Sequence, residues 1–233
     1  MSPELAGPIA GRPVELLVLL GVLAVAPAAL VALTSFLKIS VVLSIARSAL
    51  GAPQVPPNTA VTGLALVLSA LVMGPVLERT VEAARPLPGE HGVDGALAAL
   101  ARGAGPLRGF LARHARPDDR AAFVDVARRL AASGGAGDGP RREAGGAGGP
   151  ADDDLAVLAP AFVVSELRRA FVLGFLVFVP FLAVDLVVSN VLLALGLTQL
   201  SPSSVALPFK LLLFVAVDGW KLLARALALS YAG

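Results

Sequence analysis

The segment FVLGFLVFVPFLAVDLVVSNVLLALG (Phe171–Gly196) decides the fold, because it is apolar enough to enter a membrane and yet contains Asp185. Lipid accepts apolar helices but makes a buried charge costly, so a charge inside such a segment faces a protein partner or an aqueous path. The segment LPFKLLLFVAVDGW (Leu207–Trp220) carries Lys210 and Asp218 in the same way. These segments predict a membrane-associated helical protein whose helices meet through buried polar contacts.

The composition agrees with this prediction. Hydrophobic residues make up 56% of the 233 residues and charged residues only 15%, whereas a soluble domain has roughly 25% charged residues. The formal net charge of +2 is too small to indicate nucleic-acid binding. The absence of cysteine excludes disulfide frameworks, thiol nucleophiles and Cys-based metal sites. Four apolar stretches dominate the chain: Val14–Leu33, Thr59–Leu77, Ala170–Leu197 and Val205–Leu229.

The first apolar stretch has two interpretations. Leu16–Ala26 resembles the apolar core of a signal peptide with a small-residue cleavage site at its end. Against cleavage, Glu15 precedes the core, Pro27 would follow the cut, and the apolar run continues to Leu33. About 20 apolar residues suffice to span the hydrocarbon core, so we predict a retained first helix.

Two turns divide the apolar stretches into hairpins. Pro56 and Pro57 stop a helix because proline lacks the backbone donor and restricts the residue before it. Asn58 is then expected to cap the following helix. In the second turn, Ser201 is expected to cap and Pro202 to occupy the first helical position, where the missing N–H costs nothing.

The predicted fold class is all-α, with membrane-associated, kinked helical hairpins and a small helical polar insert. Apolar residues recur at helical spacing in the insert and predict two or three short amphipathic helices. Kinks are expected at Pro75, Pro180 and Pro208. The expected division is an N-terminal hydrophobic hairpin, the polar insert, a Gly-rich disordered linker and a C-terminal hydrophobic hairpin, at residues 1–77, 78–133, 134–154 and 155–233.

The sequence gives little support to catalysis. His91 and His114 lie among glycines and arginines of the insert, and we expect both on the solvated surface. There is no HExxH motif and no Gly-rich loop followed by lysine. Asp152–Asp154 lacks the other ligands of a calcium loop, and a charge cluster at a helix start fits it better. We therefore expect no enzymatic activity, no cofactor and no bound metal.

The charges near and inside the third apolar stretch have more than one interpretation. Glu166, with Arg168 and Arg169, could form a collar at the membrane interface. Asp185 has apolar residues on both sides. It could form a buried pair within one chain, contact another subunit, or border a polar pore.

Lys210 and Asp218 are eight residues apart, about 80° and ~12 Å along an ideal helix. They cannot pair with each other, although Asp218 can reach Lys221 at i,i+3. An unpaired buried charge is strongly penalised, so we predict inter-subunit polar contacts for Glu166, Asp185, Lys210 and Asp218.

Three long segments resemble one family. TSFLKISVVLSIARSALGAPQVPPN (Thr34–Asn58), SELRRAFVLGFLVFVPFLAVDLVVSNVLLALG (Ser165–Gly196) and LSPSSVALPFKLLLFVAVDGWKLL (Leu200–Leu223) are similar to the FliP/SctR (YscR) family of type III secretion export-apparatus proteins. The resemblance covers both hairpins and, more loosely, the insert through PLRGFL (Pro106–Leu111). Three motifs in the right order make the resemblance specific.

The resemblance implies a core subunit of the export gate in the bacterial inner membrane. It implies a pentamer-like homo-oligomer that forms, with two smaller export-apparatus membrane proteins, a helical conduit for unfolded secreted proteins. A large export-gate protein is a further implied partner, and membrane lipid surrounds the assembly, with no nucleic acid. The polar insert is expected on the periplasmic side. The SNVLLALG motif and the expected absence of a signal peptide favour the injectisome branch. A flagellar counterpart and a small-solute secondary transporter stay as alternatives.

One segment departs from the family pattern. Relatives carry a methionine-rich loop after the LALG-like segment, thought to form a flexible gasket around the closed pore. Here the loop is Leu197, Thr198, Gln199 and Leu200. Methionine suits a deformable seal because it is unbranched and polarizable. We expect this loop to line the narrowest point and to seal it less tightly.

Overall fold

The computed structural model describes residues 20–21, 24, 27–52, 56–85, 87, 92–134 and 152–232. Over these ranges the secondary structure is helical, with no strand, which confirms the predicted all-α class. The helices are α1 Pro27–Leu33, α2 Phe36–Ala49, α3 Asn58–Ala83, α4 Gly92–His114, α5 Pro117–Gly134, α6 Leu155–Ala194, α7 Pro202–Ala216 and α8 Gly219–Leu229.

Two of these helices, α3 and α6, are long and apolar enough to cross a membrane. A third crossing would need α1 and α2 together, and their axes meet at 76°. The fourth predicted stretch, Val205–Leu229, is not one helix. The chain breaks it at Asp218, whose φ of 51° and ψ of 51° lie in the left-handed region, and α7 alone is a shorter apolar helix.

Helix α6 has 40 residues and is therefore about 60 Å long, roughly twice the thickness of the hydrocarbon core. Asp154 caps its start, because Asp154 Oδ1 accepts a hydrogen bond from the Ala156 N–H at 3.2 Å. This contact confirms the helix-start role of the acidic cluster. At the other end, Gly196 has a φ of +71°. There the Leu197 N–H donates to the Leu192 carbonyl at 2.9 Å, the contact that defines a Schellman motif.

Helix α2 is central to the packing. The contact between α2 and α6 is the most extensive of all the helix pairs, and α2 also contacts α3. Ile39, Val42 and Leu43 of α2 are fully or almost fully buried in one core. A second core joins α3, α4 and α6, and its buried members include Met73, Phe110, Leu111, Leu158 and Phe162. The polar insert therefore packs on the hairpins.

Both predicted turns occur, with one shift. Helix α3 begins at Asn58 and Pro57 occupies the capping position, so the prediction that Asn58 is the cap is wrong by one residue. Pro57 has extended backbone angles (φ −57°, ψ 152°), which agrees with a helix that starts only after the two prolines. Ser201 precedes α7 and Pro202 is in its first turn, as predicted. The Ser201 hydroxyl bonds to the Ser203 hydroxyl and not to a backbone N–H.

The helices cross some of the expected divisions. Helix α3 continues past residue 77 to Ala83, and α5 ends at Gly134. The described part of the insert contains two helices, α4 and α5, which agrees with the predicted two or three, but at 23 and 18 residues they are not short. Most of the predicted linker, residues 135–151, lies outside the described residues. Pro75, Pro180 and Pro208 each lie inside a continuous helix, and the kinks stay a prediction.

Candidate functional site of buried ion pairs

A buried ion pair joins α2 to α6. Lys38 Nζ lies 3.2 Å from Glu166 Oε2, and the two side chains are 1% and 0% exposed. Taking both charges out of water is costly, and only close geometry with further hydrogen bonds offsets that cost. Lys38 lies in the first turn of α2, three residues after Ser35, and an apolar run continues beyond it through the helix.

Further donors surround the same carboxylate. Arg169 Nη1 donates to Glu166 Oε1 at 2.8 Å and to the His114 carbonyl at 2.7 Å. The Tyr231 hydroxyl donates to Glu166 Oε2, and Lys38 Nζ lies 3.5 Å from the centre of the Tyr231 ring. Burial, reinforced by the Glu166 carboxylate, raises the pKa of Tyr231 well above its ordinary value, so the hydroxyl keeps its proton. We call these four side chains, Lys38, Glu166, Arg169 and Tyr231, the Glu166 centre.

His114 is buried beside the Glu166 centre, so the prediction of a solvated surface histidine is wrong for this residue. Its ring centroid lies 4.6 Å from that of Phe110 and 5.1 Å from that of Tyr231. Burial is the main cause that lowers the pKa of His114. The i,i+4 spacing from the buried Phe110 places His114 on the inner face of α4. His91 lies outside the described residues.

A hydrogen-bonded serine fixes the insert beside this centre. Ser165 is fully buried and its hydroxyl donates to Asp119 Oδ2 at 2.6 Å. The same hydroxyl accepts a hydrogen bond from the Arg116 N–H at 2.9 Å. These contacts hold the junction of α4 and α5 against α6, one residue before Glu166.

A second ion pair lies further along α6. Lys210 Nζ is 2.6 Å from Asp185 Oδ2 and donates to the Ala49 carbonyl at 3.3 Å. Lys210 is 4% exposed, so one buried ammonium connects α7, α6 and the C-terminal end of α2. A cation at a helix C-terminus is favoured by the helix dipole. Asp185 Oδ1 is buried and has no hydrogen-bond partner in the described part of the chain. We call Asp185, Lys210 and the Ala49 carbonyl the Lys210 centre.

Asp218 has a different role. Its carboxylate lies 3.5 Å from Lys221 Nζ, the i,i+3 partner expected from the sequence, and both side chains are exposed. An exposed pair of this kind contributes little to stability. Asp218 instead marks the break between α7 and α8.

The structure therefore gives each predicted contact residue an ion-pair partner within the chain: Lys38 and Arg169 for Glu166, Lys210 for Asp185, and Lys221 for Asp218. For Asp185 this arrangement is the intrachain pair that the sequence left open. No neighbouring chain is needed to compensate these charges, and contact with another subunit stays a prediction. The sequence interpretation missed Lys38, although it is a charge inside an apolar run like Asp185.

The predicted gate loop connects α6 to α7. All four residues, Leu197, Thr198, Gln199 and Leu200, are exposed in the single chain. Gly196 reverses the chain immediately before them. The loop therefore presents two leucines and two polar side chains at one end of the longest helix.

Comparison with known proteins shows which family the chain resembles. The model of the FliP family matches residues 19–227. The flagellar biosynthetic protein FliP of Pectobacterium carotovorum is 45% identical over 218 residues, which cover 94% of this chain and 78% of the relative. The Yop proteins translocation protein R of Yersinia pestis is 40% identical over 94% of this chain and 97% of its own length. The hypersensitivity response secretion protein HrcR of Ralstonia nicotianae is 40% identical over 93% and 96%. The matched region covers most of both hairpins, and the chain belongs to the FliP family.

Proposed function

We propose that this chain is a core subunit of the type III protein export gate and has a structural, not an enzymatic, role. The observation that carries the proposal is the agreement of two features. The relatives are named for flagellar biosynthesis, Yop translocation and hypersensitivity-response secretion. The chain itself holds apolar helices together with buried ion pairs.

The surface of α6 supports assembly with other membrane-embedded helices. Its long exposed apolar side chains include Phe171, Phe175, Leu182, Leu186 and Leu193. A water-soluble monomer rarely exposes a continuous apolar surface of this kind. We infer that lipid and other subunits cover it, in a pentamer-like homo-oligomer with two smaller export-apparatus membrane proteins and the large export-gate protein.

The buried ion pairs are evidence that each subunit is rigid enough to form the wall of a conduit. The Glu166 centre fixes α2 and the insert to α6, and the Lys210 centre fixes α7 to both α2 and α6. A conduit for unfolded secreted proteins needs subunits that keep their shape while a chain passes. Asp185 Oδ1 lacks a partner in the described residues and is the place where a neighbouring subunit could still donate a hydrogen bond.

We propose that Leu197–Leu200 lines the constriction of this conduit. The loop is exposed and follows a tight helix end, which holds its position relative to α6. The two leucines can close an apolar seal, while Thr198 and Gln199 weaken it. If single alanine substitutions at Leu197, Thr198 and Gln199 all leave ion leakage and secretion unchanged, the loop does not form the constriction.

The proposed location is the bacterial inner membrane, with the polar insert on the periplasmic side. Cysteine substitutions test the orientation, because the chain has no native cysteine. A cysteine at the exposed Arg128 of α5 should react with a membrane-impermeant maleimide added to whole cells from outside. Labelling only after the inner membrane is opened would place the insert in the cytoplasm.

One experiment distinguishes the proposed export-gate role from that of a small-solute transporter. The cavity between α6 and α7 is lined only by apolar side chains, among them Val184, Val188 and Phe209, which does not suit a polar solute. Affinity purification should recover the chain in a large, detergent-stable complex with other export-apparatus membrane proteins. Solute uptake by the purified chain alone in liposomes would contradict the proposal.

A complementation experiment distinguishes the injectisome branch from the flagellar branch. Relatives of both kinds match this chain at 40–45% identity. We favour the injectisome branch on the SNVLLALG motif (Ser189–Gly196). Expression should restore effector secretion to a strain that lacks the injectisome subunit and should leave a strain that lacks flagellar FliP non-motile. The reverse pattern would assign the chain to the flagellar branch.

A further inference from the structure

A cationic pocket lies beside the Glu166 centre, on its solvent side. The pocket is an open cavity of about 450 Å³, and its polar lining consists of Lys38, Arg116, Arg168, Arg169 and Ser230. Four of these five side chains are cationic. No carboxylate belongs to the lining within the described part of the chain.

The positive charge of the pocket is only partly compensated. Lys38 and Arg169 share the single carboxylate of Glu166, which is fully buried behind the pocket. Arg116 lies 3.3 Å from Asp118, a largely exposed side chain, so water screens that pair. Arg168 is exposed, and no ion pair engages it among the described residues. Four cations therefore face two carboxylates, which leaves an excess of two positive charges toward an anion.

The remaining wall of the pocket is apolar and continues along α6. Val172 and Leu173 line the same cavity. Beyond them, Phe175, Leu176 and Val179 are exposed on the helix. The 25 residues from Ala170 to Ala194 form the apolar part of α6 and extend about 37 Å, close to the ~30 Å of hydrocarbon with its margins. The arginines thus stand where this apolar length begins.

We propose that the pocket binds the phosphate of an anionic phospholipid, with its acyl chains along the exposed apolar face of α6. Arg168 and Arg116 contact the phosphate directly, and Lys38 and Arg169 add positive charge from behind. Basic pockets at the membrane surface are favourable sites for anionic headgroups. Soluble phosphate or an acidic protein segment would satisfy the cations but would leave the adjoining apolar wall exposed. The proposal rests on the proposed membrane location and does not depend on the export role.

Native mass spectrometry of the full-length chain tests the proposal. The protein is purified in mild detergent and mixed with micelles that contain phosphatidylcholine and an increasing share of phosphatidylglycerol. The wild-type chain should retain phosphatidylglycerol in preference to phosphatidylcholine. Since one arginine near a membrane surface supplies about a fivefold gain in lipid binding, Arg168→Gln should weaken retention about fivefold and Arg116→Gln with Arg168→Gln about 25-fold.

Matched variants keep the result specific. Arg168→Lys keeps the charge and should stay close to wild type. Arg79→Gln removes one exposed arginine from α3, outside the pocket, and should change nothing. Equal retention of phosphatidylglycerol by the wild type and by Arg168→Gln would overturn the proposal. Displacement of the lipid by equimolar glycerol 3-phosphate would also overturn it, because the site would then be for a soluble phosphate.

Discussion

The ammonium of Lys38 lies 3.2 Å from the carboxylate of Glu166, and neither side chain reaches solvent. This pair connects α2 to the longest helix of the chain. Arg169 and the Tyr231 hydroxyl complete the shell of the same carboxylate, so the last residues of the chain also dock on α6. A buried carboxylate with three donors is a rigid joint, because each donor loses its partner if the helices separate.

The Lys210 centre gives the first prediction. Lys210→Met removes the only ion-pair partner that the described residues offer to Asp185. An uncompensated, fully buried charge typically costs about 3–5 kcal/mol. The Asp185 side chain is 30% exposed, so thermal unfolding in detergent should show a smaller loss, of about 1–3 kcal/mol. Asp185→Asn combined with Lys210→Met should recover a large part of it, since no unpaired charge is then left.

The exposed pair of Asp218 and Lys221 is the matched control for this experiment. It has the same residue types but lies on the surface. Lys221→Met should therefore change the free energy of unfolding by less than about 1 kcal/mol. Equal losses in Lys210→Met and Lys221→Met would mean that burial does not set the energy of the Lys210 centre.

Gly174 gives the second prediction, which concerns the contact of α2 with α6. A Cβ at position 174 would meet Ile45 Cδ1 at 2.4 Å and Ile45 Cβ at 3.2 Å. A rotamer change can move Ile45 Cδ1 away, but the tight contact with Ile45 Cβ stays, so the two helices must also shift by a few tenths of an ångström. Gly174→Ala should destabilise the chain by about 1–3 kcal/mol. Gly63→Ala, in open space on α3, should be neutral or stabilising by up to ~1 kcal/mol. Equal effects would show that the helices do not approach closely at Gly174.

His114 gives the third prediction. Its pKa is lowered below the ordinary 6.5, by burial first, while Glu166 opposes the shift and Lys38, Arg169 and Arg113 add to it. The unfolded chain therefore binds a proton at His114 that the folded chain does not. The stabilising effect of neutral His114 is complete above about pH 6.5 and is lost as the pH falls toward the lowered value.

Thermal unfolding between pH 7.5 and 5.5 measures this effect. His114→Phe keeps an aromatic ring against Phe110 and Tyr231 and leaves the backbone carbonyl that accepts from Arg169. The variant should lose less stability over this range than the wild type does. Parallel curves would show that His114 binds protons alike in both states.

The helical class and the turn residues could be predicted because they follow from local chemistry. Pro56, Pro57 and Pro202 cannot continue a helix with normal hydrogen bonds, whatever surrounds them. Apolar runs of membrane length likewise indicate helices without knowledge of their neighbours. The structure confirms the turn residues within one residue. It also confirms long apolar helices in the second and third stretches, whereas the fourth stretch is broken at Asp218.

The pairing of the buried charges could not be predicted, since it depends on contacts between distant residues. Lys38 and Glu166 are 128 positions apart, and Lys210 meets a carbonyl 161 positions away. His114 illustrates the same limit, because its polar neighbours in sequence suggested solvent while the i,i+4 contact with Phe110 turns it inward. The charges within apolar runs indicated the site, but their partners are determined by the packing of α2 and α7 on α6.

Asp218 gives the last prediction, on the break between α7 and α8. Its φ of 51° is in the left-handed region, which costs an L-residue about 1–2 kcal/mol and costs glycine almost nothing. Asp218→Gly should therefore keep or raise the unfolding temperature, while the β-branched Asp218→Val should lower stability by more than ~1 kcal/mol. Asp218→Asn is the control, because asparagine tolerates this region and lacks the charge. If Val and Gly at position 218 give equal stability, the two helices are continuous and the break is not a fixed feature of the fold.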